Sequence, residues 1–272
     1  MRIAFIAGAA VLSVALVVAT FASDNQVQVT TKGGETCVVS NGIPDHSVRS
    51  SGVHQARAIT QNYCFPSNPV KRDQATDRAQ VVGVLLNGIP LRPETAEFYD
   101  ATADRGFSRD RSSGWRLSAL GNDDFFRLDE NNGHSDRRGV YHYHAMPAAL
   151  IPTGADTLIG YAADGHEIHY LGSKAQSSYR LKSGSRATLP GGTHDGTYEQ
   201  DWEYVEGIGN LDECNGAMVN GTYFYFATDT YPYFQRCHFG DVSGDFVQQG
   251  PQRGGTPTRG VVDRRPPPPG RG

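Results

Sequence analysis

Two histidines alternate with two tyrosines in the segment Tyr141-His142-Tyr143-His144. Because successive side chains of a β-strand point to opposite faces, a strand here presents both imidazoles on one face and both phenols on the other. Imidazoles at positions i and i+2 of a rigid strand can bind one metal ion, which then takes its other ligands from elsewhere. His134 lies eight residues upstream of His142, past a Gly- and Asn-rich turn, and is predicted to fold back onto this strand as a further ligand. Imidazole ligands suit both zinc and copper.

A partial repeat indicates that the backbone does not require these histidines. The segments LDENNG and GVYHYHA are echoed by LDECNG and GTYFYFA, at residues 128–133, 139–145, 211–216 and 221–227. In the second copy Phe224 and Phe226 stand in place of His142 and His144, which favours a chemical role for the histidines of the first copy. Two alternatives to a metal site stay open, a hydrogen-bonded face of structural histidines and metal-free acid–base catalysis.

The remaining histidines have weaker motifs. His166 and His169 are three residues apart after a Gly turn, whereas the zinc motif H-E-x-x-H needs a spacing of four on a helix. We therefore predict that they lie on the surface of a hairpin. His194 falls in a Gly-rich turn and His238 follows a cysteine, so ligation is not favoured for either. The chain also lacks the G-x-S-x-G, P-loop and G-x-G-x-x-G signatures, which argues against the enzymes that depend on them.

The N-terminus predicts export. Arg2 is followed by a run of about 20 apolar residues and then by polar residues from Ser23, with Ala22 as a small residue before the predicted cleavage point. Residues 1–22 are therefore predicted to be a secretory signal peptide. The alternative is an uncleaved membrane anchor, since about 20 apolar residues can just span a bilayer. After cleavage we expect a periplasmic or extracellular protein without stable membrane insertion.

Export decides how the four cysteines are interpreted. They are widely spaced and form no C-x-x-C pair, at positions Cys37, Cys64, Cys214 and Cys237. In an oxidising compartment we expect two disulfides. Three connectivities exist, and we favour the one that joins sequence neighbours, Cys37 to Cys64 and Cys214 to Cys237. A metal site made of cysteine thiolates is the alternative.

Composition predicts a mainly β fold with little helix. The 272 residues include 32 Gly, 15 Pro, 13 Tyr and 12 Phe, which favours short strands and turns over a helical bundle. Hairpins are predicted around Asn87-Gly88 and Asp164-Gly165, and one serine-capped helix is predicted at 112–120. Residues 23–249 contain no linker, so we predict a single domain with a two-fold pseudo-repeat, arranged like a sandwich or a barrel.

The C-terminal residues 250–272 differ in composition from the rest. They hold 12 Gly or Pro and five Arg against one Asp, so they are predicted to form a disordered tail. The whole chain has a net charge of −4, and without this basic tail the remaining body is more acidic. An acidic body argues against nucleic acid as a partner.

Several of these segments together resemble the YHYH domain family of exported bacterial proteins. The resemblance covers roughly residues 37–240 and rests on motifs that occur in order, NGIPDH (41–46), GVYHYHAMP (139–147), IGYAADG (159–165), LDECNG (211–216) and YPYFQRC (231–237). The family has no established biochemical activity. The resemblance implies that four histidines occupy motif positions, His46, His134, His142 and His144. It also implies a disulfide between Cys214 and Cys237.

The sequence therefore predicts an exported, disulfide-bonded domain that binds one divalent transition-metal ion, copper or zinc. His142 and His144 are the predicted first ligands, and His134 and His46 are predicted to complete the site. Metal-bound imidazoles usually donate their second N–H to a neighbouring group. We predict this orienting role for four nearby residues, Tyr141, Tyr143, Asp129 and Glu130.

Two other functions are alternatives. In the first, the chain is a metal-dependent hydrolase of an extracytoplasmic substrate, with a zinc-bound water and with Glu130 or Glu213 as the general base. In the second, it is a metal-free module whose Tyr-His strand contacts a small molecule or an envelope polymer such as a glycan, since aromatic rings and imidazoles stack and form hydrogen bonds.

Overall fold

The computed structural model describes residues 24–48, 54–76 and 79–247, and the mainly β prediction is confirmed for them. The strands are β1 (Val27–Lys32), β2 (Glu35–Ser40), β3 (Gln61–Pro66), β4 (Gly83–Leu85), β5 (Pro90–Leu91), β6 (Glu94–Tyr99), β7 (Phe107–Ser108), β8 (Arg116–Ser118), β9 (Gly133–Ser135), β10 (Tyr141–Tyr143), β11 (Leu158–Ala162), β12 (Glu167–Tyr170), β13 (Tyr179–Leu181), β14 (Trp202–Tyr204), β15 (Gly216–Val219) and β16 (Thr222–Ala227). In these three ranges, helix is limited to the four-residue α1 (Asp123–Phe126) and to 3-10 turns at Leu120–Asn122, Ala148–Leu150, Gly172–Lys174, Glu199–Asp201 and Gly244–Phe246.

Two predictions about the termini lie outside the described residues. They are the signal peptide at 1–22 and the disordered tail at 250–272. Within the described residues, no helix has the length and apolar character needed to cross a membrane.

An eight-stranded sheet forms the centre of the domain, in the order β15-β16-β12-β11-β4-β5-β10-β9. Its two halves have the same topology. Each half begins with an antiparallel hairpin, β4–β5 or β11–β12, and ends with a second one, β9–β10 or β15–β16. The last strand of each half pairs in parallel with the first hairpin, β10 with β5 and β16 with β12. The predicted two-fold pseudo-repeat is therefore confirmed. The central sheet is open and does not close into a barrel, so the single domain is sandwich-like.

The halves join where β4 and β11 run antiparallel at the middle of the sheet. Gly160 lies at this junction, and a Cβ atom there would be 2.4 Å from the Val84 carbonyl oxygen and 2.8 Å from the Leu85 Cα. Because real Cβ atoms do not approach backbone so closely, this close approach needs glycine. Both hairpins predicted around the Asn-Gly and Asp-Gly turns are confirmed by the β4–β5 and β11–β12 pairings.

Three smaller sheets pack around the central one, in the orders β1-β2-β3, β7-β6-β8 and β13-β14. The second comes from an insertion between β5 and β9, and the third from the equivalent insertion between β12 and β15. The two insertions meet at a bridge between Leu117 and Tyr198. The main core contains apolar residues of the central sheet together with the tyrosines of β10 and β16, Tyr141, Tyr143, Tyr223 and Tyr225.

The helix predicted at 112–120 is wrong. Residues Arg116–Ser118 form strand β8, which pairs with β6. The Ser113 hydroxyl accepts a hydrogen bond from the Trp115 amide, two residues further along the chain. This bond closes a turn and does not cap a helix. Pairing with a neighbouring strand thus overrides a local pattern that is compatible with one helical turn.

Both predicted disulfides are confirmed, Cys37–Cys64 and Cys214–Cys237. The first joins directly opposite residues of β2 and β3, and the second ties the start of β15 to the C-terminal part of the core. All four cysteines are paired, so the oxidised chain offers no thiolate to a metal ion.

Candidate metal centre

The β9–β10 hairpin brings three histidines together. His134 on β9 stands directly opposite His142 on β10, and His144 follows on the same face of β10. The turn before β9 places Asn132 at a positive φ of 55°, and its carbonyl accepts a hydrogen bond from the His144 amide at 2.8 Å. The prediction that His134 folds back onto the Tyr-His strand agrees with this geometry.

The spacing of the three imidazoles fits one metal ion. One nitrogen atom from each ring lies within 4.8 Å of the other two. Nε2 of His134 and Nε2 of His144 are 3.2 Å apart. Two nitrogens bound to one tetrahedral zinc ion at about 2 Å are about 3.3 Å apart. Two of the three donors thus already have the separation that a shared ion requires.

Backbone carbonyls fix the orientation of two of the rings. Nδ1 of His134 lies 2.7 Å from the Phe126 carbonyl oxygen, and Nδ1 of His142 lies 3.2 Å from that of Val140. A carbonyl oxygen only accepts hydrogen bonds, so each Nδ1 carries the proton and each Nε2 keeps a free lone pair. Donation of the second N–H to a carbonyl is the usual arrangement of a metal-binding histidine.

His144 differs because its Nδ1 is buried without a hydrogen bond of ordinary geometry. The Pro93 carbonyl raises the pKa of the His144 ring, but the effect of burial is larger and lowers it. Its Nε2 faces Nε2 of His134, which has no proton, so in the metal-free protein the His144 ring carries its proton on Nε2 and donates to His134. A metal ion would replace that shared proton.

Burial keeps the imidazoles neutral, which is the state that binds metal. His142 and His144 are 5% and 2% exposed, and this desolvation lowers the pKa of both well below 6.5, with Arg92 lowering it further. Burial also lowers the pKa of half-buried His134, while its hydrogen bond to the Phe126 carbonyl and the negative charge of Asp129 raise it.

Phe126 borders the site beside the two rings that face each other. Its ring centroid lies 6.3 Å from that of His134 and 6.5 Å from that of His144. This residue ends α1, where Arg127 adopts a left-handed conformation with φ of 53°. The insertion between β5 and β9 therefore supplies both an apolar wall and the carbonyl that orients His134.

The residues predicted to orient the histidines lie on the other face of β10. The Tyr141 hydroxyl donates to Oδ2 of Asp129 at 2.6 Å, and Oδ1 of Asp129 accepts from the amides of the turn before β9. These bonds hold the hairpin and do not reach the imidazoles. Glu130 is exposed and accepts from the Ser47 hydroxyl at 3.0 Å.

His46 is also placed on the tyrosine face. Its Nε2 is 2.6 Å from the Tyr143 hydroxyl, which itself accepts from Asn87 Nδ2 at 3.0 Å. Its Nδ1 is 2.8 Å from the Ser47 carbonyl oxygen. With both ring nitrogens occupied across the strand, His46 is not brought together with the other three histidines. Because Tyr141 and Tyr143 are 1% and 0% exposed, their rings also offer no surface on which a polymer could stack.

The second half of the sheet contains the same scaffold without the histidines. Tyr223 donates to Oδ2 of Asp212 at 2.9 Å, which matches the bond between Tyr141 and Asp129. Ala217 stands opposite Phe224 in the register, at the positions equivalent to His134 and His142. Phe226 packs with Ala175 and Leu211 in a small apolar cluster. The hairpin therefore folds with either imidazole or phenyl groups on this face.

The other histidines are held by separate partners. His166 was predicted on the surface, which is wrong, because it is 4% exposed and its Nδ1 donates to the Tyr223 carbonyl. His169 is half-buried between the Thr157 hydroxyl and the Glu167 carboxylate. His238 is fully buried with Nε2 on the Val82 carbonyl. His194 lies in its turn, 3.1 Å from the Gly184 carbonyl.

Sequence reasoning missed the carbonyls of Phe126 and Val140 as partners of the histidines. Neither has a side-chain signal, since any residue supplies a carbonyl and only the fold decides where it points. It also missed Arg92, which follows β5 and acts on both buried imidazoles.

Comparison with known proteins gives one match. Neither the curated proteins nor the solved structures gave a match to this chain. The sequence profile of the family described as YHYH protein matches residues 62–240, which include the three clustered histidines, both halves of the central sheet and three of the four cysteines. The chain therefore belongs to the YHYH protein family.

Proposed function

We propose that this protein is an exported, disulfide-bonded domain that binds one divalent transition-metal ion, copper or zinc, through His134, His142 and His144. The observation that carries the proposal is the convergence of three neutral imidazoles, with a nitrogen of each within 4.8 Å of the others. The carbonyl partners of His134 and His142 occupy Nδ1 and leave Nε2 with a lone pair.

The donor set supports this choice of metals. Among the described residues no carboxylate or sulfur atom joins these three nitrogens in one group. Nitrogen-only ligation suits zinc and copper, whereas magnesium and calcium take oxygen ligands. Three protein ligands also leave the fourth tetrahedral position to a water molecule or to a ligand from outside the chain.

Export rests on separate observations. The N-terminal 22 residues have the pattern of a secretory signal, and two disulfides are typical of an oxidising compartment. We therefore place the mature domain in the periplasm or outside the cell.

Metal analysis of the purified protein tests the proposal. The chain is expressed with its own N-terminus, purified without a His tag, and compared with the double variant His142→Phe/His144→Phe by mass spectrometry of bound metals. This variant copies the phenylalanines of the second half, so its hairpin has a precedent in the same molecule. His169→Gln is the matched control, a half-buried histidine outside the cluster.

We expect close to one copper or zinc ion per chain in the wild type and in the control, and none in the double variant. A wild type that stays metal-free after reconstitution with both ions would overturn the proposal. An equal metal content in the wild type and the double variant would do the same.

A metal-dependent hydrolase is the second candidate, favoured by the open fourth position of a three-imidazole site. Its predicted bases lie elsewhere, because Glu130 is exposed beside Ser47 and Glu213 lies just before β15, in the second half of the repeat. A panel of esters, phosphates and glycosides tests it. Turnover that a chelator abolishes and zinc restores would support hydrolysis, and no turnover by the metal-loaded protein would exclude it for these substrates.

A further inference from the structure

The disulfide Cys37–Cys64 lies on the solvent side of the N-terminal sheet. Side chains alternate along β2, where Thr36 and Val38 are buried while Glu35 is exposed. The same alternation along β3 places Cys64 on the side facing solvent. The two cysteines are directly opposite in the β2–β3 register, and both are half-buried.

The strands do not depend on this bond for their position. β2 and β3 pair over six residues each, from Glu35 opposite Pro66 to Ser40 opposite Gln61. On the inner side, Val38, Tyr63 and Phe65 belong to an apolar cluster with residues of the central sheet. Opening the bond therefore leaves the two sulfur atoms held by the same paired strands.

The other disulfide has a different environment. Cys214 is 0% exposed and belongs to the main core, while Cys237 is half-buried and packs against that core. A dissolved reductant must attack a sulfur atom directly. Both sulfur atoms of Cys37–Cys64 are open to such an attack, against one of the two in Cys214–Cys237.

A carboxylate accompanies the accessible sulfurs. Glu35 precedes Cys37 by two residues on the same face of β2, and its Oε2 lies 3.9 Å from the Cys37 Sγ. One ligand atom from each of Glu35, Cys37 and Cys64 lies within 4.8 Å of the other two, and the two sulfur atoms are bonded to each other. Reduction breaks that bond and leaves two thiols beside the carboxylate on the same paired strands.

We propose that Cys37–Cys64 is a reducible disulfide and that its two thiolates, with Glu35, form a second metal site for a soft ion such as Cu(I). The reductant is an external dithiol. One of its thiolates attacks a sulfur atom of the bond, the mixed disulfide is resolved by the second thiol, and the chain gains two thiols while the dithiol becomes a disulfide. One Cu(I) ion then displaces two protons. Thiolate ligands select Cu(I) over harder ions.

This site is independent of the three-histidine site, since it shares no residue with it and takes a different oxidation state of the metal. It also ties metal binding to redox conditions. The oxidised chain has no thiolate, so the second site exists only where a dithiol reductant reaches β2 and β3.

Counting thiols tests the first step. The folded mature protein is treated with dithiothreitol, freed of it anaerobically, and reacted with a chromogenic thiol reagent before and after denaturation. We expect two thiols per folded chain, both absent from Cys37→Ser/Cys64→Ser, and no additional thiol on unfolding, because Cys214–Cys237 stays closed. No thiol, or four thiols released together, would overturn the proposal.

Titration with Cu(I) against a chromogenic chelator tests the second step. The background is His142→Phe/His144→Phe, so failure of the three-histidine site does not affect the result. We expect one Cu(I) per chain after reduction, none before reduction, and none in the Cys37→Ser/Cys64→Ser chain. Glu35→Gln should weaken the affinity roughly tenfold. Equal Cu(I) binding by the reduced and oxidised chains would refute the site, and unchanged affinity in Glu35→Gln would remove the carboxylate from it.

Discussion

Replacing His142 and His144 by phenylalanine separates the metal contribution to stability from the structural one. In the metal-free wild type, Nδ1 of His144 is buried without a regular hydrogen bond. A buried polar group left without a partner costs about 1–3 kcal/mol. Phenylalanine removes that cost and adds buried apolar surface worth about 1.5–3 kcal/mol per side chain. Against this stand about 1–3 kcal/mol for crowding in a packed site and about 0.5–1.5 kcal/mol for each of the two hydrogen bonds that His142 and His144 lose. The metal-free double variant should therefore be at least as stable as the metal-free wild type.

Bound metal should make the wild type more stable than the double variant. A ligand that binds only the folded chain at 100 times its dissociation constant stabilises it by about 2.7 kcal/mol. For a domain of this size that corresponds to a rise of about 5–10 °C in melting temperature. The rise should occur in the wild type and should be absent from the double variant.

Thermal and urea unfolding with chelator, zinc or copper measure both effects. The control His169→Gln keeps the three clustered histidines and should show the full metal-dependent rise. A metal-dependent rise of equal size in the double variant would refute our assignment of the ligands. A metal-free double variant that is several kcal/mol less stable than the wild type would show that the imidazoles hold the hairpin themselves.

Three further outcomes are expected. Ala217→His/Phe224→His/Phe226→His should build a second three-imidazole group on the equivalent hairpin and raise the zinc stoichiometry from one to two in calorimetry. Replacing buried Phe226 and half-buried Phe224 by imidazole should lower the metal-free stability. A stoichiometry of one would show that the first site also needs the insertion beside it. Tyr141→Phe should lower the unfolding free energy by about 1.5–3 kcal/mol, because the carboxylate loses its 2.6 Å hydrogen bond, while zinc stoichiometry stays at one. Burial raises the pKa of Tyr63 to about 12. The stabilising contribution of the neutral Tyr63 phenol is therefore complete below about pH 10 and is lost as the pH rises from about 10 to about 12. Absorbance at 295 nm, followed together with circular dichroism, should show buried tyrosines ionising only as the protein unfolds.

The arrangement of the β10 hairpin was accessible from the sequence for a physical reason. Strand periodicity is local, so Tyr141-His142-Tyr143-His144 by itself places the imidazoles on one side and the phenols on the other. The internal repeat likewise reflects a duplicated hairpin whose Tyr–Asp bond recurs at Tyr223. The pairing of neighbouring cysteines and the strand-rich composition also agree with the structure.

What the tertiary structure alone decided depends on contacts between distant segments. Register across β9 and β10 placed His134 with the other two imidazoles, while packing of the N-terminal segment placed His46 on the opposite face against Tyr143. Pairing of β8 with β6 replaced a helix, and packing against the second hairpin buried His166. Carbonyl orientation has no sequence signature, so the partner of His134 followed only from the path of the chain through α1. Residue type and period set which groups are available, and the hydrogen-bond register decides which of them meet.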